Sequence, residues 1–456
     1  MHTLTTEEIR HIVKGRWRWP GSGTVSGVST DSRAPGRGRM FIALRGAKFD
    51  GSRFLPDAAS AGCTAALVRQ DAVIEQAVLE RFPGGVIGVN DTLSALGDLA
   101  RDVRGRMTAT VVAVTGSNGK TTVKRMIHHI LARRLKGSAS PKSFNNNIGV
   151  PLTLLAVAPD DEYVVCELGS NALGEIGALT AIARPDIAVI TSIGEVHLEG
   201  LIDLEHVAAE KASILDALPE AGLGVVWADS PELERAARQY SARLVRFGRG
   251  EQADLRLTGY EPRLGGGRFE LNGRAWFELP IPGPHMAQNA LAAVAVAQRF
   301  GFSQDEAAGA LADFVGEDMR LQEIKAGGLT IINDAYNANP ASMRAAGESL
   351  ASYAGRRVLV AGDMLELEPR SVELHNSTGQ ALARAGVDLV VGVGRLGQYI
   401  AAGARAAGGE ALAIATVEEA CRSVPALLRA GDVVLVKGSR GAAMERLIEP
   451  LRAAVP

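Results

Sequence analysis

The chain of 456 residues carries 49 lysines and arginines against 51 aspartates and glutamates, with 46% hydrophobic and 22% charged residues. At roughly 150 residues per domain this corresponds to about three domains. A near-neutral chain without a polybasic block has no electrostatic footprint for nucleic acid or for an anionic membrane surface, so neither is expected as a partner. Cys63, Cys166 and Cys421 are odd in number and far apart, which fits neither a disulfide framework nor a metal cluster. The first ten residues include Glu7 and Glu8 and no apolar leader core, and no apolar run approaches the ~18 residues of a membrane span. A cytoplasmic, monomeric, multidomain enzyme is the expectation, with any anionic ligand held by a local site.

Residues 1–107 alternate short apolar segments with turns: Gly-Val-Ser-Thr-Asp-Ser-Arg at 27–33, then Pro35-Gly36, then Met-Phe-Ile-Ala-Leu at 40–44. This predicts a small α+β domain, and the charged stretch 99–106 predicts a helix running into a linker. From Thr108 the pattern changes to short β-branched runs at 110–114, 163–168, 187–191 and 223–227, separated by helical patterns, hence βαβ units and a parallel sheet. Val123, Met126, Ile127, Ile130 and Leu131 form one apolar helix face. Residues 253–282, with alternating polarity around Gly265–Gly267, predict antiparallel hairpins, followed by helices over 286–300 and about 303–314. A third unit has strands expected at 330–333, 357–361, 388–393, 411–415 and 432–436, again with intervening helices. The expected class is therefore α/β. An α+β N-terminal domain (1–107) is followed by a central P-loop mononucleotide-binding domain with a parallel sheet (108–315) and a Rossmann-like C-terminal domain (316–456).

The strongest motif is Val114-Thr-Gly-Ser-Asn-Gly-Lys-Thr-Thr122, placed between an apolar strand and an amphipathic helix. Gly116 and Gly119 let backbone amides approach phosphate oxygens, with Ser117 and Asn118 between them, and the following helix directs its positive end at the anion. Lys120 suits the β/γ-phosphates, and Thr121, next to Thr122, offers a hydroxyl to Mg²⁺. The loop is shorter than the general phosphate-loop form, with Val114 where a first glycine would stand. ATP is the expected cofactor, but such a loop names no reaction.

Polar residues gather at the C-terminal ends of other strands, where α/β sheets place ligands. Glu167 is either a Mg²⁺ ligand or a solvated strand-end acid, and His197 is either a ligand or a hydrogen-bonded structural residue. Lys211 in isolation is an ordinary snorkelling or ion-paired helix lysine. Asn145-Asn146-Asn147 suits either a turn cluster or recognition of a polar substrate.

Taken together, these residues resemble the Mur ligase family, the ATP-dependent amino-acid and peptide ligases of bacterial cell-wall precursor synthesis, over essentially the whole chain. The family's own ATP motif is the short loop, which accounts for the missing glycine. The resemblance implies that Glu167 and His197 hold Mg²⁺ beside Thr121, and that Lys211 matches a lysine carbamylated in many members. It implies that Asn289, Arg320 and Asp334 meet the nucleotide, and that Lys437 and Ser439 stand at the reacting centre. The first domain lacks the Rossmann Gly-x-Gly of the first two ligases. Its Thr30-Asp-Ser-Arg33, Phe41–Gly46 and Asp50-Gly51 segments resemble the uridine-nucleotide domain of the later ones, which makes Ser32, Arg33, Arg45 and Asp50 candidate substrate contacts. Taken alone, Asp31–Arg33 is a capped turn with a surface ion pair.

In the third domain Asp334-Ala-Tyr-Asn-Ala-Asn-Pro340, Gly362-Asp-Met-Leu-Glu-Leu367 and His375 resemble the member that adds D-alanyl-D-alanine to UDP-N-acetylmuramoyl-tripeptide. That member would use Asn146, Asn147, Tyr336, Asn337 and Asn339 on the substrate side. Ser52 and Glu368 depart from the family pattern, in which histidine and glycine are common at these places. Rivals are another Mur-type amino-acid ligase, a folylpolyglutamate synthetase, against which the first domain argues, and a protein that hydrolyses ATP only to change shape.

Overall fold

The computed structural model describes residues 3–34, 36–46, 49–263 and 265–454. Pro35, expected in a turn, lies outside the described residues. Three large sheets are built in chain order. The first uses β1 (Arg16–Trp19), β2 (Gly27–Ser29), β3 (Arg39–Ile42), β4 (Ala65–Arg69) and β5 (Val86–Val89) in the order β1-β5-β4-β3-β2, parallel except at the β1 edge. Helix α1 (Thr92–Arg106), capped by Asp91 through Leu93 and Ser94 amides, covers it and leads into the second sheet.

The central sheet has nine strands: β6 (Thr110–Thr115), β7 (Gly137–Ala139), β8 (Tyr163–Glu167), β9 (Ile187–Ile190), β10 (Leu223–Trp227), β11 (Arg243–Gly248), β12 (Leu255–Arg263), β13 (Gly266–Leu271) and β14 (Ala275–Leu279). Their order is β14-β13-β12-β11-β10-β9-β6-β8-β7. Strands β7 to β12 and β6 pair in parallel, whereas β12-β13-β14 is an antiparallel meander, as the alternating pattern of 253–282 predicts. The chain departs from β6 toward β7 and later crosses to β9 on its other side. The end of β6 is thus a topological switch point, where an open α/β sheet has a crevice. Helix α2 (Lys120–Leu131) leaves from that point, and Val123, Met126, Ile127, Ile130 and Leu131 are each 0% exposed. Burying five such side chains contributes on the order of 10 kcal/mol and fixes the helix, and with it the loop, against the sheet.

The third sheet contains β15 (Gln322–Ala326), β16 (Leu329–Asp334), β17 (Arg357–Ala361), β18 (Leu389–Val393), β19 (Ala411–Ile414) and β20 (Val433–Lys437), ordered β15-β16-β20-β17-β18-β19. Only the β15–β16 pairing is antiparallel. Because β20 inserts beside β16, Asp334 and Lys437 are register partners at the C-terminal ends of neighbouring parallel strands. Two segments separated by a hundred residues thereby place opposite charges side by side.

Candidate active site

The switch point of the central sheet opens into a cavity of about 920 Å³ that residues of the central and third sheets line together. On the central side are Ser117, Asn118, Gly119, Lys120, Thr121, Thr122, Asn146, Asn147, Glu167, His197 and Asn289; on the other are Arg320, Asp334, Tyr336, Asn337, Asn339, Lys437 and Ser439. Gly116 lies at the start of the same loop, and Lys211 stands behind Ser170, a lining residue. Ser32, Arg33, Arg45 and Asp50 do not line this cavity. Asp31 and Arg33 form an exposed ion pair at 2.9 Å around a turn, and Asp50 accepts the Ser52 amide and hydroxyl at 2.9 and 2.7 Å.

The phosphate loop takes its shape from two glycines at positive φ, Gly116 at 142° and Gly119 at 82°. A Cβ on Gly119 would meet Asn289 Oδ1 at 2.4 Å, so the glycine is needed both for backbone conformation and for the approach of Asn289. Gly119→Ala is expected to raise the KM for ATP about tenfold or more while the far side of the cavity keeps its affinity, as steady-state kinetics with each substrate varied in turn will show. Lys120 Nζ folds back on the Gly116 and Ser117 carbonyls at 2.7 and 3.4 Å. Its burial disfavours the charged form, and the nearby Glu167 opposes that.

Glu167, 1% exposed, is gripped on both oxygens. Thr121 Oγ1 donates to it at 2.9 Å, Asn145 Nδ2 at 3.0 Å, and Lys124 Nζ lies 3.3 Å away. Lys120, Lys124 and Arg320 face two carboxylates, Glu167 and the Glu317 that pairs with Arg320 at 3.1 Å, and the formal excess of positive charge suits a polyphosphate. Magnesium fits this donor set: hydroxyl and carboxylate oxygens lie side by side, and Mg²⁺ characteristically takes only one or two protein ligands, with water and phosphate filling the rest. No group of three or more His, Cys, Asp or Glu suited to holding a metal occurs among the described residues.

His197 was open between ligand and structural roles. Its Nδ1 is hydrogen-bonded to Glu366 of the third sheet's domain. Burial keeps the ring toward its neutral form against the pull of Glu366. With Nδ1–H donating to the carboxylate, the Nε2 lone pair is the free one, the arrangement typical of a metal-bound histidine. Lys211 is 1% exposed, and its Nζ donates to Ser170 Oγ at 2.5 Å. Desolvation, with Lys120 nearby, lowers its pKa to about 7, so a large fraction of neutral amine exists at neutral pH.

The two sides of the cavity are tied directly. Arg320 Nη2 donates to Thr121 Oγ1 at 3.0 Å while its guanidinium stacks 4.0 Å over the Tyr336 ring. Asn118 and Asn339 exchange amide hydrogen bonds at 3.3 and 2.7 Å, and Arg370 reaches Glu195 at 2.8 Å. Lys437 is paired with Asp334 at 2.6 Å and donates to the Asn337 carbonyl at 3.0 Å. The Asp334 carboxylate also accepts the Leu321 amide at 3.2 Å, so the chain itself engages both of its oxygens. Ser439 Oγ bridges the Leu365 amide and the Ala338 carbonyl at 2.9 and 3.2 Å. Asn146 Oδ1 accepts the Gly149 amide at 2.9 Å, so its carbonyl side serves the turn ahead of α3 (Gly149–Ala156), and Asn145 serves Glu167. The turn reading of the asparagine cluster is thus present, and Asn146 and Asn147 also line the cavity.

Sequence reasoning passed over Lys124, Asn145 as the partner of Glu167, Glu366 and the internal support of its loop. His375 is 0% exposed; its Nδ1–H donates to the Ser371 carbonyl at 2.6 Å and its Nε2 accepts the Met364 amide at 2.9 Å. A neutral ring therefore pins the segment carrying Glu366. His375→Ala is expected to destabilise this domain by about 3 kcal/mol, through two orphaned backbone groups and a cavity, read as a lowered thermal midpoint.

A phosphate loop, a carboxylate and cations drawn from two sheets onto one cavity are the equipment of ATP-driven phosphoryl transfer, the first half of a ligase reaction. The comparisons agree: residues 24–104, 114–297 and 319–440 match, in turn, the family profiles "Mur ligase family, catalytic domain", "Mur ligase middle domain" and "Mur ligase, glutamate ligase domain". The chain belongs to the Mur ligase family. It is 37% identical to the UDP-N-acetylmuramoyl-tripeptide–D-alanyl-D-alanine ligase of Bacillus subtilis over 98% of each chain. A crystal structure of MurF from Acinetobacter baumannii superposes with a TM-score of 0.89 at 31% identity, covering 99% of each chain. MurF ligase from Thermotoga maritima in complex with ADP gives 0.82 at 26% identity, covering 94% of this chain and 97% of that one.

Proposed function

We propose that the chain joins the peptide carboxylate of UDP-N-acetylmuramoyl-tripeptide to the amine of D-alanyl-D-alanine with cleavage of ATP. The observation that carries this reading is the cavity itself, where the loop Gly116–Thr122 faces Arg320, Asp334, Lys437 and Ser439 across a closed interdomain contact. Full-length similarity to relatives bearing that name supports the choice of substrates.

A carboxylate is a poor electrophile at neutral pH, so it must first be activated. The tripeptide carboxylate attacks the γ-phosphorus, and ADP leaves as an acyl phosphate forms. The dipeptide amine then adds to the acyl carbon, and the tetrahedral species collapses with loss of inorganic phosphate. Lys120 and Arg320 stabilise charge that accumulates on the phosphoryl oxygens during transfer. Thr121, Glu167 and His197 would hold Mg²⁺, which when bound neutralises phosphate charge and orients the γ-phosphate. The interdomain contacts exclude water that would hydrolyse the acyl phosphate. No helix among the described residues is long and apolar enough to cross a membrane, and dependence on ATP favours the cytoplasm.

Labelling the tripeptide carboxylate with ¹⁸O tests the reading: one labelled oxygen should appear in the phosphate released with each amide formed. Phosphate free of label would exclude the acyl-phosphate route.

A further inference from the structure

The mechanism uses Glu167 but not the buried ammonium beside it. Lys124, one turn into α2 after Lys120, is 2% exposed. A buried cation is costly unless its contacts repay the lost hydration. Satisfying Glu167 does not require it, because Thr121 and Asn145 already donate to the carboxylate and Lys120 lies nearby. What distinguishes Lys124 is its second contact: besides approaching Glu167 Oε2 at 3.3 Å, its Nζ donates to the backbone carbonyl of Lys142.

Lys142 is held at a φ of 44°, in the left-handed region, and begins the segment that brings Asn146 and Asn147 to the cavity. The same segment returns to Glu167 through Asn145 Nδ2 at 3.0 Å, and the Asn145 carbonyl accepts the Gly169 amide at 2.8 Å. Between these two attachments Ser143 Oγ lies 2.6 Å from the Tyr336 hydroxyl. Tyr336 stacks on Arg320, Arg320 donates to Thr121, and Thr121 donates to Glu167. The contacts close into a ring running Thr121, Glu167, Lys124, the 142–143 backbone, Tyr336 and Arg320. Lys124 is thus one of two links from Glu167 to the segment 142–147, holding its start as Asn145 holds its middle.

We propose that Lys124 is a positioning residue that fastens segment 142–147 to the phosphate-side carboxylate, so that the substrate-side wall carrying Asn146 and Asn147 stands in register with the nucleotide. This rests on the ligase reading above.

Lys124→Met keeps the volume and removes the ammonium. The expected result is a KM for UDP-N-acetylmuramoyl-tripeptide raised about tenfold and a kcat lowered about fivefold, with the Kd for Mg²⁺-ADP within about twofold of the parent. Hydrogen exchange should quicken in peptides covering 142–147. An unchanged tripeptide KM with unchanged exchange overturns the proposal, and so does an equal loss of affinity for every ligand, which marks a purely structural role. If Lys124→Met does not fold, Lys124→Leu, which also removes the donor, is put through the same measurements, and the same outcomes support or overturn the proposal. The parent enzyme is assayed alongside. Phosphate release independent of the two peptide substrates would sink the ligase reading and this proposal together, whereas an active parent with an unaffected variant sinks only the role of Lys124.

Discussion

Lys120→Ala is expected to lower kcat by about a thousandfold with both peptide substrates saturating, the scale seen when one preorganised donor to a developing oxyanion is removed. The Lys120 ammonium lies where its burial disfavours the charge, and it donates to the Gly116 and Ser117 carbonyls. A γ-phosphate is a stronger partner for an ammonium than a carbonyl, and the contribution of Lys120 grows as negative charge accumulates on the phosphoryl oxygens. Losing a desolvated cation should leave the fold intact or slightly more stable. A thermal midpoint equal to or above that of the parent, together with the fall in phosphate release, separates this effect from misfolding. Activity near the parental level would remove Lys120 from the mechanism.

The second large effect concerns Lys211. Its amine is buried against Ser170, and that desolvation brings its pKa down to about 7; a carbamate forms only on a neutral amine. The sign follows: at fixed dissolved CO₂, the fraction able to react grows as pH rises through about 7 and falls below it, where the ammonium predominates. Stripping CO₂ from the enzyme should reduce its rate reversibly, and ¹³C-enriched CO₂ should yield a carbamate resonance. Lys211→Ala should lose about a hundredfold in kcat and regain part of it with formate or acetate, whose carboxylate replaces the missing oxygens. A variant indifferent to short carboxylates, in an enzyme indifferent to CO₂, would leave Lys211 as a plain buried amine.

Much of this architecture is written in local patterns. The face Val123–Leu131, the β-branched runs and the alternating stretch near Gly265 declare helix, parallel strands and hairpins because each burial geometry has its own period. The phosphate loop is legible because its chemistry lies in consecutive residues. The polar edge strand Gln322–Ala326 and the three-residue strand Gly137–Ala139 escaped notice: one is only partly buried and the other too short to show a period.

The candidate site was legible residue by residue but not contact by contact. Asn118 with Asn339, His197 with Glu366 and Arg320 with Thr121 join segments more than 160 residues apart. Nothing in local sequence encodes such pairings. The burial of Lys124 was visible in principle, since it lies four residues after Lys120 and three before Ile127 on the buried stripe, but a lysine on such a stripe is easily taken for a snorkelling one. In the first domain, Asp31 and Arg33 pair with each other on the surface, the plainer of the two readings of that turn.

The most direct test of the account is phosphate release from ATP measured with UDP-N-acetylmuramoyl-tripeptide across a panel of amines. The account predicts release only when nucleotide-linked tripeptide and amine are both present, with D-alanyl-D-alanine preferred by far over single amino acids. Release that is equally fast with a single amino acid, or that proceeds with neither substrate, would contradict it.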